Sequence, residues 1–225
     1  MRSVQDFCIQ VGTILWKDIR CELRSRQTWV GMALFALLVL VVFNFAFDLR
    51  IGDKAAVAPG VLWIAFLFAS LLGLGRTMAT EREQSALDRL LLCPVDRRAI
   101  YLAKLLGNLL FIGIVEVVAI PVFIVLFDVR LSIGELLLVV LVGTTGIASI
   151  GTLFSAMTAA TRARELLLPV LVFPLLVPVV IGAVRLTGAL IAPVVNEPPW
   201  FGLIIAFDII FLSVSMLTFQ YVIEE

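Results

Sequence analysis

Charge interrupts this chain too rarely for it to fold around a water-facing surface. Six apolar runs cover residues 29–47, 57–76, 105–127, 136–160, 166–184 and 200–221. Each approaches or exceeds the roughly 20 residues that a helix needs to cross the hydrocarbon core of a bilayer. The only charged residues inside them are Arg76, at the end of the second run, Glu116 in the third and Asp208 in the sixth. In lipid, backbone N–H and C=O groups must be satisfied within the segment itself, so runs of this kind form helices. The alternating ten-residue segments of an outer-membrane barrel are absent. Composition agrees: 62% of residues are hydrophobic and 15% charged, against about 45–50% apolar and 25% charged in a soluble domain. The expected fold is an all-α polytopic membrane protein with six transmembrane helices. No small-residue cleavage site stands behind the first run, which reads as a retained span and not a signal peptide.

Orientation follows from Lys and Arg. Arg2, Lys17, Arg20, Arg24, Arg26, Arg76, Arg82, Arg89, Arg97, Arg98, Lys104, Arg162 and Arg164 fall on one side, and Arg50, Lys54, Arg130 and Arg185 on the other. Thirteen against four makes the first side cytoplasmic in expectation and places both termini there. The opposite side holds only short loops, roughly 48–56, 128–135 and 185–199. The sizeable polar surface is cytoplasmic, residues 1–28 and 77–104. Formal net charge is zero, so bulk charge predicts no nucleic-acid partner; membrane lipid is the surrounding medium.

Within 1–28, Val4, Phe7, Cys8, Val11, Leu15, Ile19 and Leu23 recur at helical spacing, while Asp6, Lys17, Asp18, Arg20 and Arg24 avoid that stripe. This is an amphipathic helix expected to lie along the inner membrane surface, with Trp16 and Trp29 suited to the interface. In 77–104, Thr80 and Glu83 form a T-x-x-E capping box, so a short helix is expected from about Glu81. Glu81, Arg82, Glu83, Asp88 and Arg89 give it a polar face; Leu87 and Leu90, with Leu91, give it an apolar edge. Pro94 ends it, and Asp96 caps the next helix. The plainer alternative is a basic loop anchoring two spans. A capped helix with a leucine edge instead suits docking against a partner that supplies force.

The chain has no histidine, which removes the commonest metal ligand, general base and haem ligand. Cys8, Cys21 and Cys93 form no C-x-x-C pair and read as packing residues. There is no G-x-x-x-x-G-K-[ST] loop to cradle a nucleotide, no H-E-x-x-H and no G-x-S-x-G, so a catalytic role is not expected. Glu116 and Asp208 remain as intramembrane polar candidates, either in a substrate or proton path or in interhelical hydrogen bonds to residues such as Asn108 or Ser213. Gly143, Ile147 and Gly151 put a small-residue side on the fourth span, where another helix can approach closely. Pro169, Pro174 and Pro178 make the fifth span a kinked, movable helix in expectation.

Four stretches carry a family resemblance: APGVLW at 58–63, LDRLLLCP at 87–94, LAK at 102–104 and LVFPLLVP at 171–178. Through them the chain resembles the CcmB permeases of the cytochrome c maturation haem exporter, ABC-2-like membrane subunits, over nearly its whole length. The resemblance implies a complex with a cytoplasmic ATPase subunit (CcmA-like), haem-handling membrane subunits (CcmC-like and CcmD-like) and an outer-side haem chaperone (CcmE-like). It implies ATP on the partner ATPase, a bacterial inner-membrane location and no cofactor bound by this chain alone, and it leaves open two roles: carrying haem as cargo, or turning ATP hydrolysis into release of the haem-loaded chaperone. An ABC-2 permease exporting a lipid, polysaccharide or drug has the same composition and topology, and a non-transporting scaffold stays open beside it.

Overall fold

The computed structural model describes residues 2–25, 27–48, 54–83, 95–159, 161, 164–192 and 199–222. Helix α1 spans Arg2–Ser25, α2 Gln27–Asp48, α3 Lys54–Glu83, α4 Arg97–Phe127, α5 Ile133–Thr158, α6 Arg164–Ile191 and α7 Trp200–Val222. Six segments are long and apolar enough to cross a membrane: Gln27–Phe47, Lys54–Met78, Arg97–Phe127, Ile133–Thr158, Leu166–Ile191 and Trp200–Val222. The fold is that of an all-α polytopic membrane protein, with no strand among the described residues. Helices α2 and α7 turn most of their surface outward, with Leu34, Leu38, Phe45, Ile209, Ile210 and Leu217 exposed. Such outward apolar surface is what a lipid solvent accepts and water does not.

Helix α5 forms the middle of the bundle and packs against α3, α4, α6 and α7. It is suited to this by its small residues. A Cβ on Gly143 would collide with the Trp63 ring, and one on Gly151 with Leu74, both on α3. Its hydroxyls supply the other half of the packing. Asn108 of α4 donates to Thr152 Oγ1 at 2.9 Å, and Thr144 donates to the Glu116 carboxylate. Asn108 and Glu116 are eight residues apart, as are Thr144 and Thr152, so one antiparallel register satisfies both pairs about 12 Å apart. Tyr101 adds a bond from its hydroxyl to the Ser149 carbonyl at 3.1 Å. Helix α4 starts on the expected cap, Asp96, whose side chain accepts from the Arg98 N–H at 2.9 Å. It ends at Asp128, in the left-handed conformation at φ 49°, which Asp tolerates better than most residues.

Helix α1 is joined to α2 but lies against α4. Val11 and Ile14 are buried, Gln10 Oε1 accepts from the Asp96 N–H at 3.2 Å, and Lys104 Nζ reaches Asp18 Oδ2 at 2.6 Å. Pairing rises along both chains, 10 with 96 and 18 with 104, so the two helices run parallel here. The docked face keeps part of the expected stripe, with Val11 buried and Phe7 and Leu15 packed on the core; Cys8 is exposed and Leu23 half-exposed, because an ion pair and the buried Ile14 turn the helix toward α4. Two further expectations are corrected. Helix α3 continues through Thr80 to Glu83, so Thr80 is interior to it and not a helix start; the rest of the short helix expected near residues 81–91 lies outside the described residues. Extending an existing helix adds one bond per residue fixed, whereas a new one must first pay for nucleation. The fifth span runs on to Ile191, so Arg185 is an exposed helical residue and not a loop residue; its long stem can carry the charge outward while the helix continues.

Two stability outcomes follow. Gly143→Ala drives a methyl into Trp63 and should cost roughly 1–3 kcal/mol. Gly113→Ala, with nothing within 4 Å of the new methyl, should be neutral or stabilising. Thermal unfolding of the two purified variants in the same detergent measures the contrast. Lys104→Met removes the more buried of the two lysines that meet Asp18, leaving Lys17 2.9 Å from Oδ1, and should cost about 1 kcal/mol, while Asp18→Asn with Lys104→Met should recover most of it in the same assay.

Candidate functional site

The residues that bear on function lie at two levels of the bundle. At one end, the last turn of α3 carries Glu81, Arg82 and Glu83. Leu87, Asp88, Arg89 and Leu90 lie outside the described residues. The chain re-enters the described structure at Val95, is capped by Asp96 and held by Gln10, and continues as α4. The described chain thus is helical up to Glu83 on one side of residues 84–94 and begins α4 from a cap on the other, where α1 braces it. Tyr101 and Phe219, ring centroids 5.1 Å apart, bind the start of α4 to the end of α7 at the same level.

The second level is inside the bundle. Glu116 is buried and accepts from Thr144. Asp208, on α7, faces α5 at the one position where the backbone can admit it: a Cβ on Gly146 would stand 2.6 Å from Asp208 Oδ1. That oxygen is buried without a hydrogen-bond partner among the described residues. The two carboxylates are not brought together. Thr144 and Gly146 are two residues apart on α5, and at 100° per residue they point to different sides. Neither carboxylate takes the expected partners. Asn108 is engaged by Thr152, and Ser213 donates to the Ile209 carbonyl at 2.7 Å. Among the described residues no three His, Cys, Asp or Glu side chains cluster as a metal site. The Thr144 hydroxyl beside the Glu116 carboxylate is an interhelical hydrogen bond, and the arrangement can bind helices to one another.

Pro169, Pro174 and Pro178 all lie within the continuous helix α6. Each removes one backbone donor from the helix ladder. Next to them, Val179 packs beside Gly146, so the proline-bearing stretch abuts the Asp208 contact. Further along α6, Thr187 receives the Trp63 indole N–H at 3.0 Å, which ties the start of α3 to the end of α6. Sequence reading missed the Trp63–Thr187, Asn108–Thr152 and Asp18–Lys104 pairs. The matched eight-residue spacings were a visible signal for the second; the others depend on which helices become neighbours.

Comparison with known proteins places these features in a family. A sequence model of the CcmB protein family matches residues 9–224. The chain is 33% identical over 175 residues to the heme exporter protein B of Rhodobacter capsulatus, covering 77% of this chain and 80% of that protein. It is 28% identical over 206 residues to the heme exporter protein B of Bradyrhizobium diazoefficiens, covering 91% and 93%, and 28% identical to that of Pseudomonas aeruginosa over 75% and 76%. With six spans in place and the match running through nearly all of them, the chain belongs to the CcmB family.

Proposed function

We propose that this chain is the permease subunit of a haem-exporting ABC complex in the bacterial inner membrane, with both termini cytoplasmic. The observation that carries the reading is the family match across residues 9–224, together with relatives named heme exporter protein B. The chain contains no nucleotide-binding loop, so the work comes from a CcmA-like ATPase on the cytoplasmic side. CcmC-like and CcmD-like membrane subunits handle haem, and a CcmE-like chaperone receives it on the outer side. The subunit serves haem export or the release of the haem-loaded chaperone, and the axial ligands belong to the partners: this chain has no histidine, and the short loops expected on the outer side form no haem-clasping domain. This subunit is a non-catalytic coupler.

Coupling runs through residues 77–104. Glu81, Arg82, Glu83, Asp88 and Arg89 make polar contacts with the ATPase, and Leu87 and Leu90 enter an apolar notch in it. Helix α3 leads into this segment without a break and α4 leaves it from a cap, so a displacement there tilts the second and third spans. Helix α6, short of three backbone bonds at Pro169, Pro174 and Pro178, absorbs the change.

Leu87→Asp, Glu83→Arg and Asp88→Arg should each insert normally and leave ATP hydrolysis by the purified complex running. Haem delivery to the chaperone should fall by roughly tenfold or more in the leucine variant, the size expected for losing a buried anchor. Normal assembly of c-type cytochromes in all three variants would refute the coupling role. Glu116→Gln and Asp208→Asn keep hydrogen-bonding capacity and should leave c-type cytochrome content within about twofold of wild type, since interhelical bonds in membranes average only about 0.6 kcal/mol. Loss of delivery by a stably folded amide variant would instead assign that carboxylate to the path of a proton or the cargo.

A further inference from the structure

A small recess lies where α1 passes into α2, between α1, α2, α3 and α4. Its free volume is about 10 Å³, room for a single water-sized sphere. Four of its lining residues carry side-chain oxygen: Glu22, Thr28, Thr77 and Asn108, one from each helix. The remaining wall is apolar, with Met32 and Phe111 in it.

The hydrogen bonds already made decide what these oxygens can still do. Thr77 donates its hydroxyl proton to the Gly73 carbonyl at 2.8 Å, which leaves Oγ1 as an acceptor. Asn108 gives an amide N–H to Thr152 Oγ1 at 2.9 Å, which leaves its own carbonyl oxygen as an acceptor. Glu22 Oε1 is buried with no hydrogen-bond partner among the described residues. Lys104 of α4 is engaged by Asp18, one turn before Glu22, at 2.6 Å. A buried carboxylate beside apolar groups is costly unless it is paired or coordinates a metal ion. The group that suits this recess is small and positive, and it is met by oxygen acceptors on several sides.

We propose that the recess binds one alkali-metal cation of about potassium's size, coordinated by Glu22 and by the oxygens of Thr28, Thr77 and Asn108. Hard cations take oxygen ligands. A potassium ion is nearly as large as a water molecule, so it fills the recess without widening it. One carboxylate cancels one charge, whereas a divalent ion would leave net positive charge against an apolar wall. Magnesium also keeps several of its own waters, for which there is no space. Because the four ligands come from four helices, the ion fastens α1 to the first three spans. The site rests on the recess alone and is independent of the ATPase coupling and of haem.

The test uses the full-length chain purified in mild detergent, at an ionic strength held constant with N-methylglucamine chloride, whose cation is too large to enter. Retention of radiolabelled rubidium, a potassium tracer, counts the bound ion. Wild type should retain rubidium at one ion per chain, displaced by potassium and not by N-methylglucamine. Lithium, too small to reach all four oxygens, should need roughly tenfold more than potassium to displace it, since such selectivity follows cavity size. Glu22→Gln should abolish retention. Thr77→Val keeps the side-chain shape and removes one oxygen, and should weaken retention by roughly tenfold, the size of one lost bond to a charged group. Potassium should raise the thermal unfolding midpoint of wild type and leave that of Glu22→Gln unchanged. If Glu22→Gln does not fold, Thr77→Val and Thr28→Val decide the matter in the same two assays. No rubidium retained by wild type, or equal retention in wild type and the folded variants, overturns the proposal and leaves a water molecule as the partner of Glu22.

Discussion

Helices in a bilayer gain nothing from burying leucine against leucine, because the lipid is as apolar as the partner helix. What holds them is close approach and the few polar bonds that lipid cannot supply. In this protein both are concentrated on α5. Its glycines let α3 bring Trp63 and Leu74 onto the backbone and let α7 seat Asp208. Its hydroxyls take Asn108 and Glu116 from α4. The other spans are arranged around this helix, and the least embedded of them, α2 and α7, present their leucines and isoleucines outward. The polar residues inside the spans are thus first of all the bundle's adhesive, and any transport role for Glu116 or Asp208 has to operate within that constraint.

The number and order of the spans were legible in the amino-acid sequence, because hydrocarbon thickness imposes a minimum length and a near-absence of charge that a chain cannot disguise. Asp96 was legible as a cap for the same kind of local reason. What failed was punctuation. A T-x-x-E pattern at Thr80 looks like a helix start, yet nothing before it stops α3, and continuation wins over nucleation. Arg185 looks like the edge of a loop, yet one long side chain does not end a helix. The docked face of α1 was legible in part, at Phe7, Val11 and Leu15, while Asp18 reads as a solvated charge until Lys104 is known to stand opposite.

The functional level is divided in a similar way. The family is carried by short motifs on three spans and by a match across nearly all of the chain. The partners of Glu116 and Asp208 come from helix neighbours that no local pattern specifies. A residue such as Thr144 has no signature of its own; it matters because α5 runs antiparallel to α4 in a register that sets it opposite a buried acid.

Thirty residues of α3 form one uninterrupted cylinder, about 45 Å long at 1.5 Å per residue. Its sole proline, Pro59, sits near the start, before the Trp63–Thr187 bond that fastens this helix to α6. From Trp63 to Glu83 the helix runs without a proline for about 30 Å at 1.5 Å per residue. Its Glu83 end is thus continuous, across the depth of the hydrocarbon, with a tryptophan bonded to the helix that carries three prolines.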